Sequence, residues 1–208
     1  QAAWLVTDDS QPLLTWSPVA HIDGVPVTAY EVIVAKTAAD AEKGDASLWK
    51  SELLPLENGP RCQLDATGLP SRTEVWWRVR PLLKNAEYGP WSKTANFEIG
   101  LKSPADWKAE WIGMAPAARK RSAPQFRKTF SIEKPVTKAR LYVCGLGWHE
   151  SWLNGTKLGD EVLQAAQTDY DQRNFYISHD VTAQVHEGEN VIGLWVGDGF
   201  FNQDRVWG

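Results

Sequence analysis

The chain has 208 residues, of which 43% are hydrophobic and 23% charged, which is enough for two globular domains of roughly 100 residues each. Its formal net charge of −4 argues against nucleic acid or an anionic membrane surface as partner, since both need clustered lysine and arginine. No apolar stretch approaches the roughly 20 residues of a membrane span. The only methionine is Met114, so we expect that a signal peptide has been removed before Gln1 or that the chain is a piece of a longer protein.

Residues 1–100 are predicted to form a first β-sandwich. In two stretches every second residue is apolar, with Tyr30, Val32 and Val34 in the first and Val75, Trp77 and Val79 in the second. The polar residues between them, such as Glu31 and Arg80, are predicted to point away from the core. Short strands separated by turn clusters are typical of a sandwich. Residues 38–43 carry the one helical signal and predict a single helical turn.

Five segments of this region resemble a fibronectin type III-like module, which usually serves as a spacer or docking platform. They are PLLTWS (12–17), AYEVIVA (29–35), LWKSELL (48–54), VWWRVR (75–80) and YGPWSKTANFEIG (88–100). Trp16, Trp77 and Trp91 are interpreted as core and edge packing rather than as a ligand platform. Cys62 and Cys144 lie far apart and are interpreted as two buried thiols rather than a disulfide.

Residues 101–124 are predicted to be a linker. Ser103 suits a helix N-cap, Pro104 the first helical position and Asp106 the positive helix end, which together predict one helical turn. Trp107 and Trp111 are expected to wedge between the two domains. After Met114 the composition shifts to alanine, proline and basic residues, which predicts an exposed loop.

Residues 125–208 are predicted to form the N-terminal part of a jelly-roll, with strands at 125–132, 139–144, 148–153, 175–178 and 190–196. Asn154-Gly155 between apolar residues predicts a tight β-hairpin. Two inward faces are predicted, Leu141/Val143 and Val191/Gly193/Trp195. A jelly-roll needs about eight strands and only five or six are visible, so we expect the remaining strands elsewhere in a longer polypeptide.

The order of motifs along the chain resembles the N-terminal region of bacterial α-L-rhamnosidases. The motifs are GLKSPADWKAEWIG (100–113), FRKTF (126–130), ARLYVCGLGWHESWLNGTKLGD (139–160), TDYDQRNFYISHDVT (168–182) and GENVIGLWVGDGFFNQ (188–203). The resemblance implies an all-β chain, a fibronectin type III-like sandwich followed by a partial, galactose-binding-like jelly-roll. It also implies an inverting glycosidase whose two carboxyl groups belong to a helical barrel downstream, so no catalytic residue is carried over to this chain. The implied partners are a rhamnose-containing glycan and the remaining domains of a periplasmic or secreted protein.

Two further functions remain open. A free-standing carbohydrate-binding module would stack sugars on aromatic side chains and bind hydroxyls with neighbouring polar groups. Its candidate residues are Trp148, Asp198, Phe200, Phe201, Asn202 and Trp207. The alternative is a purely structural β-array for protein contacts.

No cofactor is required, but calcium is a candidate ligand of two oxygen-rich segments. These are Asp169/Asp171 and Asp198/Asn202/Asp204, and the competing interpretation is that they are turn residues bonding to their own backbone. His149 and Glu150 are not expected to act as a pair, since neighbours in a strand face opposite ways.

Overall fold

The computed structural model describes residues 5–114 and 123–201 and divides into two compact units. The first unit is Leu5–Lys108, and the second begins at Ala109. Within the described residues both units consist of strands and loops, apart from one α-helix, α1 (Ala38–Lys43), and two short 3₁₀ turns. None of the helices in these ranges has the length and apolar character that crossing a membrane requires.

The first unit contains nine strands in two sheets. They are β1 (Val6–Thr7), β2 (Leu13–Thr15), β3 (His21–Ile22), β4 (Val25–Ala35), β5 (Trp49–Lys50), β6 (Leu54–Pro55), β7 (Arg61–Gln63), β8 (Glu74–Leu83) and β9 (Ala95–Ile99). The larger sheet has the order β1-β9-β8-β4-β3, with β5 and β6 also pairing with β4, and the smaller sheet is β2-β7. β1 runs parallel to β9. This is the sandwich that the alternation pattern predicts.

The core of the first unit lies between these sheets. Tyr30, Val32 and Val34 of β4 are buried in it, together with Val75 and Val79 of β8, as predicted. Trp16 and Trp77 pack against the same core, and the Trp16 ring contacts Tyr30 edge-on at 5.3 Å between centroids. α1 occupies the predicted residues, capped by Thr37 and ended by Gly44 in the left-handed conformation.

The outer face of the larger sheet is also covered. Glu31 points away from the core as predicted, yet it is only 3% exposed. Its carboxylate pairs with Lys50 Nζ at 2.7 Å and with Arg80 Nη2 at 2.6 Å. The Arg80 guanidinium in turn lies 3.7 Å from the Tyr88 ring centroid and 4.4 Å from that of Trp91. A segment after β8 therefore folds back over the sheet and shields the ion pairs.

The first part of the predicted linker is held by the first unit. Lys102 Nζ donates to the carbonyls of Ala66, Thr67 and Leu69 at 3.2, 2.9 and 3.1 Å. The predicted helical turn is a 3₁₀ helix, Pro104–Asp106, with Ser103 and Asp106 forming a capping box. Most of the predicted exposed loop lies outside the described residues.

The described residues of the second unit form six strands in two antiparallel sheets. They are β10 (Gln125–Ile132), β11 (Arg140–Val143), β12 (His149–Leu153), β13 (Thr156–Lys157), β14 (Ile177–Asp180) and β15 (Gly188–Val196). One sheet has the order β10-β15-β12-β13 and the other is β11-β14. Leu153, Leu158 and Val181 form a small buried core, against which Leu141 and Ile192 pack. This is a partial jelly-roll, as expected.

The predicted hairpin joins β12 to β13. Asn154 has φ 50° and Gly155 φ 81°, the positive values that a two-residue turn requires. The Asn154 amide donates to Gln184 O at 2.8 Å and to Asn190 Oδ1 at 2.9 Å, and its oxygen accepts from Val191 N at 2.8 Å. The turn residue thus also ties the hairpin to β15.

The predicted inward face of β15 is wrong. Ile192, rather than Val191, packs against the core, and Trp195 is 47% exposed on the opposite face. Residues 191–196 are apolar or glycine throughout, so the two-residue period has no contrast with which to choose a face. The strand predicted at 175–178 is also displaced to Ile177–Asp180, where Asp180 pairs with Arg140 at 2.6 Å.

Candidate functional site

The described residues predicted to bind sugar come from two loops at one end of the second unit, and they are Trp148, Asp198, Phe200 and Phe201. Trp148 precedes β12 and Asp198 follows β15, and these strands are antiparallel neighbours with His149 opposite Val196. Gly197 N donates to Trp148 O at 2.6 Å. Gly147 has φ 112°, and a Cβ there would collide with the backbone of Gly197 and Asp198. Glycine at 147 therefore allows the two loops to touch.

Two edge-to-face aromatic pairs involve these loops, and the second pair includes Tyr170 from the segment between β13 and β14. Trp148 and Phe200 have ring centroids 5.7 Å apart at 80°, and Tyr170 and Phe201 are 5.4 Å apart at 84°. Trp148, Phe200 and Phe201 are 36%, 42% and 51% exposed, so their rings offer surface to a ligand. The fold thus brings Trp148, Phe200 and the Asp198 backbone together, and it adds Tyr170, which the sequence did not single out. Asn202, Asp204 and Trp207 lie outside the described residues.

The structure describes both aspartates of the first oxygen-rich segment, Asp169 and Asp171, but only Asp198 of the second. Asp169 Oδ1 accepts from Asp171 N at 3.3 Å, and Asp169 O accepts from Gln172 N and Arg173 N, which is turn geometry. In the part of the chain that the structure describes, no three His, Cys, Asp or Glu side chains are grouped to hold a metal ion. The calcium hypothesis for Asp198 with Asn202 and Asp204 stays a prediction.

A buried polar cluster of the second unit was missed by sequence reasoning. His149 is 2% and His179 3% exposed, and Ser151 and Gln164 beside them are buried too. Neither ring nitrogen of His149 has a hydrogen-bond partner among the described residues, nor do His179 Nε2 and Ser151 Oγ. Such groups normally bond to protein or to ordered water. His149 and Ser151 share one buried face of β12 with Leu153. This alternation is the only sequence signal that could have indicated the polar cluster.

Burial lowers the pKa of both histidines. For His149 burial is the main cause and the nearby His179 adds to it, while the backbone of Gly147 and Gln164 opposes it. For His179 burial again dominates, and the Glu161 carboxylate acts in the opposite direction. Glu150 lies on the other face of β12 and pairs with Lys157 at 2.7 Å. His149 and Glu150 are therefore apart, as predicted.

Four carboxyl groups are held in their ionised form by their surroundings. Glu31, Asp65, Asp106 and Asp180 have a clear pKa shift, and each shift is downward. Burial alone raises the pKa of Glu31 and Asp180, but hydrogen bonds and paired cations outweigh it. The general acid of a glycosidase needs the opposite shift, because it must hold its proton near neutral pH. These four groups are structural.

A β-sandwich followed by partial jelly-roll strands, with exposed aromatic side chains in the loops of the second unit, defines the class as a pair of all-β modules. Two family matches give the particular identity. Residues 1–103 match the family described as "Rha78A-like, N-terminal immunoglobulin domain", and residues 134–208 match "Alpha-L-rhamnosidase N-terminal domain". The chain belongs to the α-L-rhamnosidase family and corresponds to its N-terminal region. Immunoglobulin and fibronectin type III modules share the sandwich architecture, which explains why residues 1–100 resemble a fibronectin type III-like module.

Individual relatives agree with this assignment. An α-L-rhamnosidase of Formosa agariphila is 28% identical over 98% of this chain and 24% of its own length, and a second from the same organism is 31% identical over 96% and 22%. The structure of an α-L-rhamnosidase from Dictyoglumus thermophilum superposes with a TM-score of 0.82 at 29% identity, covering 95% of this chain and 24% of that one. One from Aspergillus terreus gives 0.71 at 28% identity, covering 96% and 23%. The chain thus spans about a quarter of the length of these relatives.

Proposed function

We propose that this chain is the non-catalytic N-terminal region of a longer α-L-rhamnosidase that releases terminal L-rhamnose from glycans or glycosides with inversion. The observation that carries the proposal is the extent of the matches, which cover nearly all of this chain but 22–24% of the rhamnosidases. Hydrolysis with inversion requires a protonated acid facing a carboxylate base about 6.5–9.5 Å away. On this proposal, that pair lies in the rest of the polypeptide, and these modules position it and help to shape its cleft.

The test compares the purified 208-residue chain with the longer protein on an aryl α-L-rhamnoside. We expect turnover by the longer protein and no release of the aryl group above background by the chain alone. Hydrolysis by the 208-residue chain itself, or a longer protein without activity on any rhamnoside, contradicts the proposal.

We also propose that the protein works in the periplasm or outside the cell. The reason is size: a hydrolase that acts on an intact polymeric glycan outside the cell must be exported to reach it. Fractionation of the producing cells with an antibody to the first unit tests this. Recovery of the protein in the cytoplasmic fraction alone contradicts it.

Sugar binding by the loops is a second candidate function, favoured by the exposed Trp148–Phe200 pair beside Asp198. Calorimetric titration with L-rhamnose, with and without calcium, tests it. Millimolar or tighter binding that is lost in Asp198→Ala or Trp148→Ala supports the function. Trp111→Ala serves as the matched control, because Trp111 is an exposed tryptophan elsewhere in the chain. The absence of heat favours the purely structural alternative.

A further inference from the structure

The outer face of the four-stranded sheet carries a pair of tryptophans. Trp152 of β12 lies opposite Gly193 of β15, and Trp195 lies opposite Glu150, so the two tryptophans are diagonal neighbours on one face. Their ring centroids are 6.2 Å apart with the planes inclined at 35°. Trp195 is 47% exposed, although a tryptophan side chain is normally mostly buried. The pair is therefore surface rather than core.

The two rings border a groove of about 410 Å³, within the range of small-molecule sites. Gln125, Arg127 and Gly193 also line it. Gly193 forms part of the floor, where the missing side chain leaves the space open. A Cβ added at Gly193 would be 3.8 Å from Trp152 Cβ and 3.9 Å from Phe126 O, which is ordinary contact. Backbone strain does not demand the glycine, so its effect here is to keep the groove free.

Charge at the groove is unbalanced. Arg127 lies opposite Gly193 on the neighbouring strand β10, and it is exposed. Its guanidinium makes no hydrogen bond or ion pair within the described residues. Glu150, by contrast, is neutralised by Lys157 at 2.7 Å. An unpaired guanidinium beside two aromatic faces favours a ligand with apolar ring faces and a carboxylate, since arginine binds carboxylates through two parallel hydrogen bonds.

We propose that the outer face of this sheet is a binding groove for an acidic carbohydrate chain, with Trp152 and Trp195 stacking on successive sugar rings and Arg127 pairing with a uronate carboxylate. The groove uses none of the loop residues near Trp148 and Asp198. It also does not depend on the hydrolytic activity proposed above, so the two can fail separately.

The experiment is calorimetric titration of the 208-residue chain with a galacturonate hexamer and with a neutral glucose hexamer. We expect binding of the acidic hexamer about tenfold tighter than of the neutral one, a difference that Arg127→Gln removes. Trp195→Ala weakens both by about tenfold or more. Gly193→Val fills the groove and abolishes binding while leaving the thermal midpoint unchanged. Trp111→Ala, the exposed control, binds like the original chain.

Three results overturn the proposal. The first is no binding of either hexamer by the original chain. The second is equal binding of both hexamers, which removes the role of Arg127. The third comes from hydroxyl-radical footprinting of the longer protein: oxidation of Trp195 is expected, and its protection would make the face a contact with another domain instead.

Discussion

Acidification from pH 6.5 towards 5 is expected to destabilise the second unit, because the unit buries His149 and His179 in their neutral form. The pKa of an unfolded histidine is about 6.5, and burial lowers both values in the folded state. Below pH 6.5 the unfolded chain therefore binds more protons than the folded one. Stability is complete above pH 6.5 and falls as the pH drops towards the folded pKa values.

Each such group contributes at most about 1.4 kcal/mol per pH unit, so the two together give a slope of up to about 2.8 kcal/mol per pH unit. The carboxylate of Glu161 near His179 reduces this somewhat by favouring the charged ring. Asp180 and Glu31 do not contribute in the same window. Their pKa values are lowered, so their stabilisation is present above the unfolded value of about 4 and is lost only below it.

Urea unfolding at half-unit intervals between pH 7.5 and 5, combined with hydrogen exchange of peptides from β12 and β14, measures the slope and assigns it to the second unit. His149→Gln and His179→Gln should each remove about half of it, while His21→Gln, at an exposed position of the first unit, should leave it unchanged. A free energy of unfolding that stays constant from pH 6.5 to 5 would refute the reasoning. This result would come from the original chain without any substitution, so it remains decisive even if one of the variants does not fold.

Three further predictions concern single side chains. Glu31→Leu should lower the free energy of unfolding by about 3 kcal/mol in chemical denaturation, because it leaves the Arg80 guanidinium under Tyr88 without its carboxylate partner. Lys50→Met, at a half-exposed position, should lower the same free energy by less than about 1 kcal/mol. Asn154→Ala should cost about 2–3 kcal/mol by thermal unfolding, since Val191 N–H and its other partners are left unpaired. Burial raises the pKa of Cys62 to about 11, so a reagent that modifies thiols by disulfide exchange should react with this residue at pH 8 only after denaturant is added.

Each of these has a contrary outcome. Equal losses in Glu31→Leu and Lys50→Met would mean that the shielded ion pairs contribute no more than surface ones. A loss in Asn154→Ala no larger than that of an exposed loop substitution would remove the hairpin's tie to β15. Modification of Cys62 in the native protein at the rate of a free thiol would contradict its burial.

Local patterns predicted much of the fold. The strand expected at residues 125–132 is β10 with the same bounds, the helical turn at 38–43 is α1, and the Asn154-Gly155 hairpin has the expected positive φ values. Each depends on residues close together in sequence, where periodicity and turn chemistry are decisive. The family followed from the order of motifs rather than from any one of them.

What was missed depends on packing between distant segments. Alternation indicated the direction of Glu31 but not the return of the segment around Tyr88 and Trp91, which buries it. His149 and His179 lie in strands of different sheets, 30 positions apart in sequence, yet each is buried and His179 is near enough to lower the pKa of His149; no spacing rule connects them. The face of β15 was predicted wrongly because its apolar run has no period, and this error concealed Trp195.

The ammonium group of Lys102 has a practical consequence for anyone who expresses the first unit by itself. A polypeptide cut after residue 100 would lose the donor to three carbonyls, and Ser71 and Arg72 would lose Asp106, to which they bond at 2.7 Å. Tolerance of truncation follows the bonding of the backbone at the cut rather than the end of the last strand. A stable recombinant module should therefore extend through Lys108.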